Sequence, residues 1–210
     1  MTPQHHLPAD IERTSLKIIA AELAEMGLTP PPETEAVVRR VIHTTADFDY
    51  AKNLRFTPGA VQKAVEALHK GAFIVTDTNM ALAGITKPGL AKLGGQAACY
   101  MADPEVAARA KAGGTTRAVA AMHKAAAEHP GAILAVGNAP TALLTIAEQI
   151  EAGLRPALVI GVPVGFVNVV ESKERIIQAA AAPYIVSRGR KGGSNVAAAI
   201  CNAMLYQIRR

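Results

Sequence analysis

The chain has 210 residues, half of them apolar, with 42 alanines, no tryptophan and a formal net charge of +5. A chain of this length folds as one domain that buries about two-thirds of the surface its unfolded form exposes, so no disulfide or structural metal is needed to hold it. Charged residues at 19% argue against disorder, the apolar runs are too short to span a bilayer, and the scattered basic residues lack the interleaved aromatics of a nucleic-acid platform, so neither a membrane nor a nucleic acid is an expected partner.

Met1 to Asp10 contains no apolar stretch of signal-peptide length, and residues 1–9 read as a loose tail ahead of a single domain within 1–210. From Asp10 to Met26, Ile11, Ile18, Ile19, Leu23 and Met26 recur at helical spacing, with Asp10 as N-cap and Gly27 as the stop, and Ser15 lies on the same stripe. After the Thr29-Pro30-Pro31-Pro32 break a second helix is predicted from about Glu33 to His43. A third runs from Pro58 to Lys70, capped by Thr57 and stopped by Gly71.

Beyond Gly71 short β-rich runs alternate with helical ones. Strands are predicted at 72–76, 97–100, 132–136, 157–160 and 184–186. Helices are opened by Asp103-Pro104, by Thr115 or Thr116, by Pro140-Thr141, and by Ser194 as far as about Ile208. The alternation predicts an α/β fold: a single domain with a doubly wound, mostly parallel sheet of about five strands and flanking helices. Cys99 and Cys201, without CxxC spacing, read as buried free thiols in a reducing compartment, the cytoplasm. His5 and His6 sit in the tail, and His123 and His129 do not share a helix face, so no metal site built by the protein is expected.

In such a sheet the ligand crevice lies beyond the carboxyl ends of the strands. Those positions hold Thr76-Asp77-Thr78-Asn79, Gly137-Asn138-Ala139-Pro140-Thr141, Gly161-Val162-Pro163-Val164-Gly165, and the stretch from Ser187 to Asn195. Within the last, Arg190 and Lys191 precede Gly192-Gly193-Ser194 at a helix start, which reads either as an anion site or as a flexible basic turn with an ordinary cap. Walker A, GxGxxG, HExxH and GxSxG patterns are all missing.

Arg117 falls in the first turn of a helix, where a cation opposes the helix dipole; it either meets a ligand carboxylate or faces solvent. His43 ends a helix three residues after Arg40, on the same face, and opens a polar cluster with Asp47 and Asp49. The neighbouring cation disfavours the imidazolium, while the helix C-terminus and any bound polyanion favour it, so His43 reads as a general acid or as a plain helix cap. Ser15 either bonds back to its own helix or points to a ligand.

Five motifs together carry a resemblance: Glu12-Arg13-Thr14-Ser15; the run from Arg40 to Asp49, with His43-Thr44-Thr45-Ala46-Asp47-Phe48-Asp49; Gly137-Asn138-Ala139-Pro140-Thr141-Ala142-Leu143; the run from Gly161 to Val167 with Glu171-Ser172-Lys173; and Gly189 to Asn195. The chain resembles the precorrin-8X methylmutases of cobalamin biosynthesis over nearly its whole length, most of all their cobalt-precorrin-8 branch. The resemblance implies an isomerase of the cytoplasm that moves a methyl group from C11 to C12 of a corrinoid tetrapyrrole. It implies a homodimer and no cofactor, any cobalt belonging to the substrate. His43 matches the family's catalytic histidine, and Ser15 and Arg40 match substrate-contacting positions. Arg117, Arg190, Lys191 and Ser194 are added from their own chemistry as holders of the substrate's carboxylates. The alternatives are the metal-free methylmutase and a non-catalytic tetrapyrrole carrier.

Overall fold

The computed structural model describes residues 7–179 and 181–208. The expected tail at 1–6, with His5 and His6, lies outside the described residues. Pro8 and Ala9 already belong to the first helix, α1 (Pro8–Glu25), whose N-cap is Leu7; Asp10 sits inside its first turn and pairs with Arg13 instead of capping. Gly27, at φ 68°, ends α1 as expected. The second helix, α2 (Pro32–Thr45), follows the proline break, and a single turn, α3 (Tyr50–Asn53), leads into strand β1 (Leu54–Phe56).

β1 is a sixth strand that the sequence does not announce, being three residues long with a charged centre. It pairs antiparallel with the last strand, and Thr57 extends that ladder: its hydroxyl accepts the Tyr184 N–H at 2.9 Å. Thr57 is therefore unavailable as a cap, and α4 (Ala60–His69) begins later than expected, after Gly59.

The remaining elements alternate. They are β2 (Ile74–Thr76), α5 (Asn79–Gly84), α6 (Lys87–Ala91), β3 (Ala97–Ala98), α7 (Pro104–Ala112), α8 (Arg117–Glu128), β4 (Ile133–Val136), α9 (Pro140–Glu151), β5 (Leu158–Gly161), α10 (Val169–Ala179), β6 (Tyr184–Ser187) and α11 (Ser194–Ile208). Asp103 and Thr116 cap α7 and α8, accepting the N–H groups of Glu105 and Val119.

The sheet order is β1-β6-β5-β4-β2-β3, parallel except for β1. Strand residues alternate between two cores. Ile133, Ala135, Leu158, Ile160 and Ile185 face α1, α2, α4, α5 and α11, and Leu134, Val136, Val159 and Val186 face α7 to α10. α11 is buried nearly all round, from Val196 to Leu205, because alanines at 197, 198, 199 and 203 let α2, α4 and α5 close on it. Cys201 lies inside it, its thiol pushed up to about 12 by burial, whereas Cys99 is only half-buried where the chain leaves β3. No helix among the described residues is long and apolar enough to cross a membrane.

Candidate active site

His43 sits in the last turn of α2, which stops when Ala46 adopts the left-handed conformation (φ 53°) and returns its N–H to Ile42 O at 2.7 Å. α1 packs alongside and brings Ser15 to the ring, with Ser15 Oγ 2.7 Å from His43 Nδ1. A hydroxyl donates to a neutral ring nitrogen or accepts from a protonated one, so Ser15 can orient the imidazole in both states and leave Nε2 for other work. Ser15 thus points across to α2 and not back along its own helix.

The imidazole stands between two concavities. One, of about 350 Å3, is apolar and lined by Ile11, Ser15, Ile18, Ile42, Ala46 and Phe48 among others. The other, of about 330 Å3, is formed by Arg40, His43 and Thr44 over a floor of Gly84, Ala198 and Ala199, with Asn195, Asn202 and Tyr206 beside it. The floor is flat because α5 and α11 touch: a Cβ at Gly84 would sit 2.8 Å from the Ala198 Cβ. Asn202 stitches the same contact, donating to Gly84 O at 2.8 Å and accepting the Thr86 N–H at 2.9 Å. Arg40 is held by Glu12 of α1 at 2.6 Å and lies over the Tyr206 ring at 4.8 Å, so the cation beside His43 is locally offset. Tyr206 and Asn202 are site residues that sequence reasoning missed, since they stand far away along the chain, while Glu12 and Asn195 lie in motifs that the sequence singles out without a role for either.

Arg117, Arg190, Lys191 and Ser194 line neither concavity. Lys191 reaches across to Asp47 and Asp49, donating to each at 2.6 Å, which ties the basic loop to the segment that leaves the His43 helix. Lys191 holds the Asp49 carboxyl below its usual range. Arg190 lies over the exposed Phe166 ring at 5.2 Å. Arg117 opens α8 on the opposite face of the sheet, exposed, next to the Thr116 hydroxyl that meets Thr141 at 3.3 Å. The loop is not a flexible turn. Gly192 packs so tightly that a Cβ there would lie 2.0 Å from Val162 O, and the Gly193 N–H donates to that oxygen at 2.8 Å.

Beneath this loop lies Lys173 of α10, fully buried, its amine pushed down to about 8 by desolvation. Its Nζ donates to Gly189 O at 2.8 Å, Lys191 O at 2.9 Å and Ser187 Oγ at 3.3 Å.

The chain reverses its winding between β2 and β4, where an α/β sheet opens its crevice. Here the protein fills that point itself. The Asp77 carboxylate, 1% exposed, accepts the N–H groups of Gly137 and Asn138 at 2.8 Å and of Ala139 at 2.7 Å. Burial pushes its carboxyl up, and the three N–H groups pull it back. Ser194, 8% exposed, shares a 2.7 Å hydrogen bond with Thr78. The loop after β4 stands at the strand ends where a ligand crevice is expected, but its N–H groups go to Asp77, and the concavities lie instead beside α1, α2 and α11. Among the described residues no three histidine, cysteine or carboxylate side chains gather as a metal set.

Comparison with known proteins places this geometry. The family model described as precorrin-8X methylmutase matches residues 10–207. The chain belongs to the precorrin-8X methylmutase family. It is 44% identical to the cobalt-precorrin-8 methylmutase of Salmonella typhimurium over 96% of both chains, and 38% identical to the precorrin-8X methylmutase of Pseudomonas aeruginosa over 92% of this chain and 93% of that one. The crystal structure of precorrin-8X methylmutase from Thermus thermophilus superposes with a TM-score of 0.85 at 42% identity, covering 95% of this chain and 97% of that chain. The family match spans every strand of the sheet.

Proposed function

We propose that this chain is an isomerase acting on cobalt-precorrin-8, moving the methyl group on C11 of the ring to C12 to give cobyrinic acid. The observation that carries the reading is His43, oriented by Ser15 and set between two shallow concavities in a chain of this family. His43 donates a proton to the macrocycle, the C11–methyl bond breaks as the C12–methyl bond forms, and one proton returns, so product and substrate are isomers. Relatives of 42–44% identity that carry the cobalt-precorrin-8 name favour that branch. The deciding assay offers purified protein cobalt-precorrin-8 and metal-free precorrin-8X in parallel. Faster conversion of the cobalt substrate is expected; faster conversion of the other reassigns the substrate, and binding without conversion makes the protein a carrier.

The reaction needs no oxidant, methyl donor or resident metal, so the ligand-free protein is expected to hold no stoichiometric metal by elemental analysis. One metal per chain, with activity lost on chelation, would overturn this. The site is assigned to a cytoplasmic homodimer: Ile11 and Ile18, each about half exposed, belong both to the apolar concavity and to the outer face of α1, where a second copy would wall the site.

Arg117, Arg190, Lys191 and Ser194 are assigned to the substrate's peripheral carboxylates. Replacing Arg117 or Arg190 by alanine is expected to weaken product binding about two- to fivefold, as exposed charge pairs are screened. Lys191→Ala should do more, because it also uncovers Asp47 and Asp49, two anions facing an anionic ligand. Titrating cobyrinic acid across a salt series checks this. An unchanged affinity and salt slope in the variant with Arg117, Arg190 and Lys191 all replaced by alanine would place the carboxylates elsewhere.

A further inference from the structure

We infer that Lys173 is a positioning residue for substrate binding, the buried post on which the loop 188–193 is mounted; this rests on the assignment of that loop to the substrate's carboxylates. A fully buried ammonium is costly to desolvate, and among the described residues Lys173 has no carboxylate to offset it. An apolar side chain of similar length would fill the same space without that penalty. What the ammonium adds is direction, since two of its three bonds go to main-chain carbonyls of the loop, those of Gly189 and Lys191.

In a planar trans peptide the carbonyl of one residue and the N–H of the next point in opposite directions. Turning the Gly189 and Lys191 carbonyls inward onto Lys173 therefore turns the Arg190 and Gly192 N–H groups outward. Neither of these donates to an acceptor among the described residues. Ser187 reinforces the arrangement, donating to Lys191 O at 2.6 Å while accepting from Lys173. The result is a cation behind and two N–H groups, on alternate residues, turned away from it and flanked by the side chains of Arg190 and Lys191. Unengaged N–H groups beside two cations suit a carboxylate.

The test is Lys173→Met, which keeps the length and removes the ammonium, with Ser187→Ala as the milder variant that carries the same expectations should the first not fold. Amide hydrogen exchange at Arg188 and Gly193, the loop amides that are bonded, to Asn53 O and Val162 O, is expected to accelerate at least tenfold in the unliganded protein while exchange in β4 and β5 stays as in the wild type. With cobalt-precorrin-8, KM should rise roughly tenfold with kcat within about twofold, the pattern of lost binding rather than lost chemistry. In the double variant with Lys191→Ala the two losses should not add, because both act through one loop. Unchanged loop exchange, or a KM effect that adds fully to that of Lys191→Ala, overturns the inference. If the wild-type protein neither binds nor converts the corrinoid, the proposed function fails, and loop exchange alone then decides whether Lys173 is the mount.

Discussion

His43→Ala is expected to lower the rate of methyl migration by about 10²–10⁴, the range supplied by a positioned general acid, while cobyrinic acid still binds within a few fold of wild type. Rate and affinity separate because they have different origins here. In the proposed complex the macrocycle rests on apolar surface from α1 and the small-residue floor of α5 and α11, none of which the substitution removes. Only the proton is lost. Ser15→Ala should fall between, since the imidazole remains but loses the 2.7 Å bond that sets its ring, and its effect should nearly vanish in the His43→Ala background. Single-turnover conversion followed spectrally, alongside product titration, measures both quantities. A His43→Ala enzyme working at close to the native rate would remove His43 as the acid. A loss of binding as large as the loss of rate would make it a substrate contact instead.

The helix that carries His43 and Arg40 could be read directly, because both lie on one helical face and their surroundings keep to a 3.6-residue period. The five strands from Ala72 onward and the helices α7, α8, α9 and α11 are likewise visible, since buried parallel strands are short apolar runs and these helices open at Asp103, Thr116, Pro140 and Ser194, whereas α5, α6 and α10 are not. Pairings across the chain were not visible. Ser15 meets His43 from 28 positions away, and Lys191 meets Asp47 from 144 away, and no local rule links such residues. Lys173 shows the limit most clearly: in sequence it is one charged residue in the run Glu171, Lys173, Glu174 and Arg175, a stretch for which the sequence predicts no helix, yet it lies in α10 and is wholly buried. Burial of a lysine follows from where a later loop folds. The same holds for β1, whose three residues become a strand only because β6 offers an edge for them.

The second large effect is on stability, at Asp77. Removing this carboxylate leaves the N–H groups of Gly137, Asn138 and Ala139 without their acceptor at the point where β2 and β4 diverge. Two opposing terms set the outcome. Desolvating a carboxylate is unfavourable, and its absence relieves that. Against this, hydrogen bonds to a charged acceptor contribute about 1.5–3 kcal/mol each, and a buried donor left without a partner forfeits its own hydration. Gly137 is buried, so its N–H has no ready access to water, while Asn138 is exposed and can be rehydrated. The balance is a net loss of roughly 3–5 kcal/mol for Asp77→Ala, the range found on breaking a buried charged network. Asp77→Asn should lose less, about 2–3 kcal/mol, because an amide keeps one acceptor oxygen but turns an NH2 group towards donors on the other side. For a chain of this size that is a fall in Tm of about 6–20 °C for the alanine variant. The damage should also reach the site, since the loop clamped by Asp77 packs against Ser194 at the start of α11, the helix that floors the His43 concavity. Urea denaturation of the two variants beside the wild type measures the loss. Equal stability of all three would mean that water serves these donors as well as the carboxylate does, and that the switch point is open to a ligand after all.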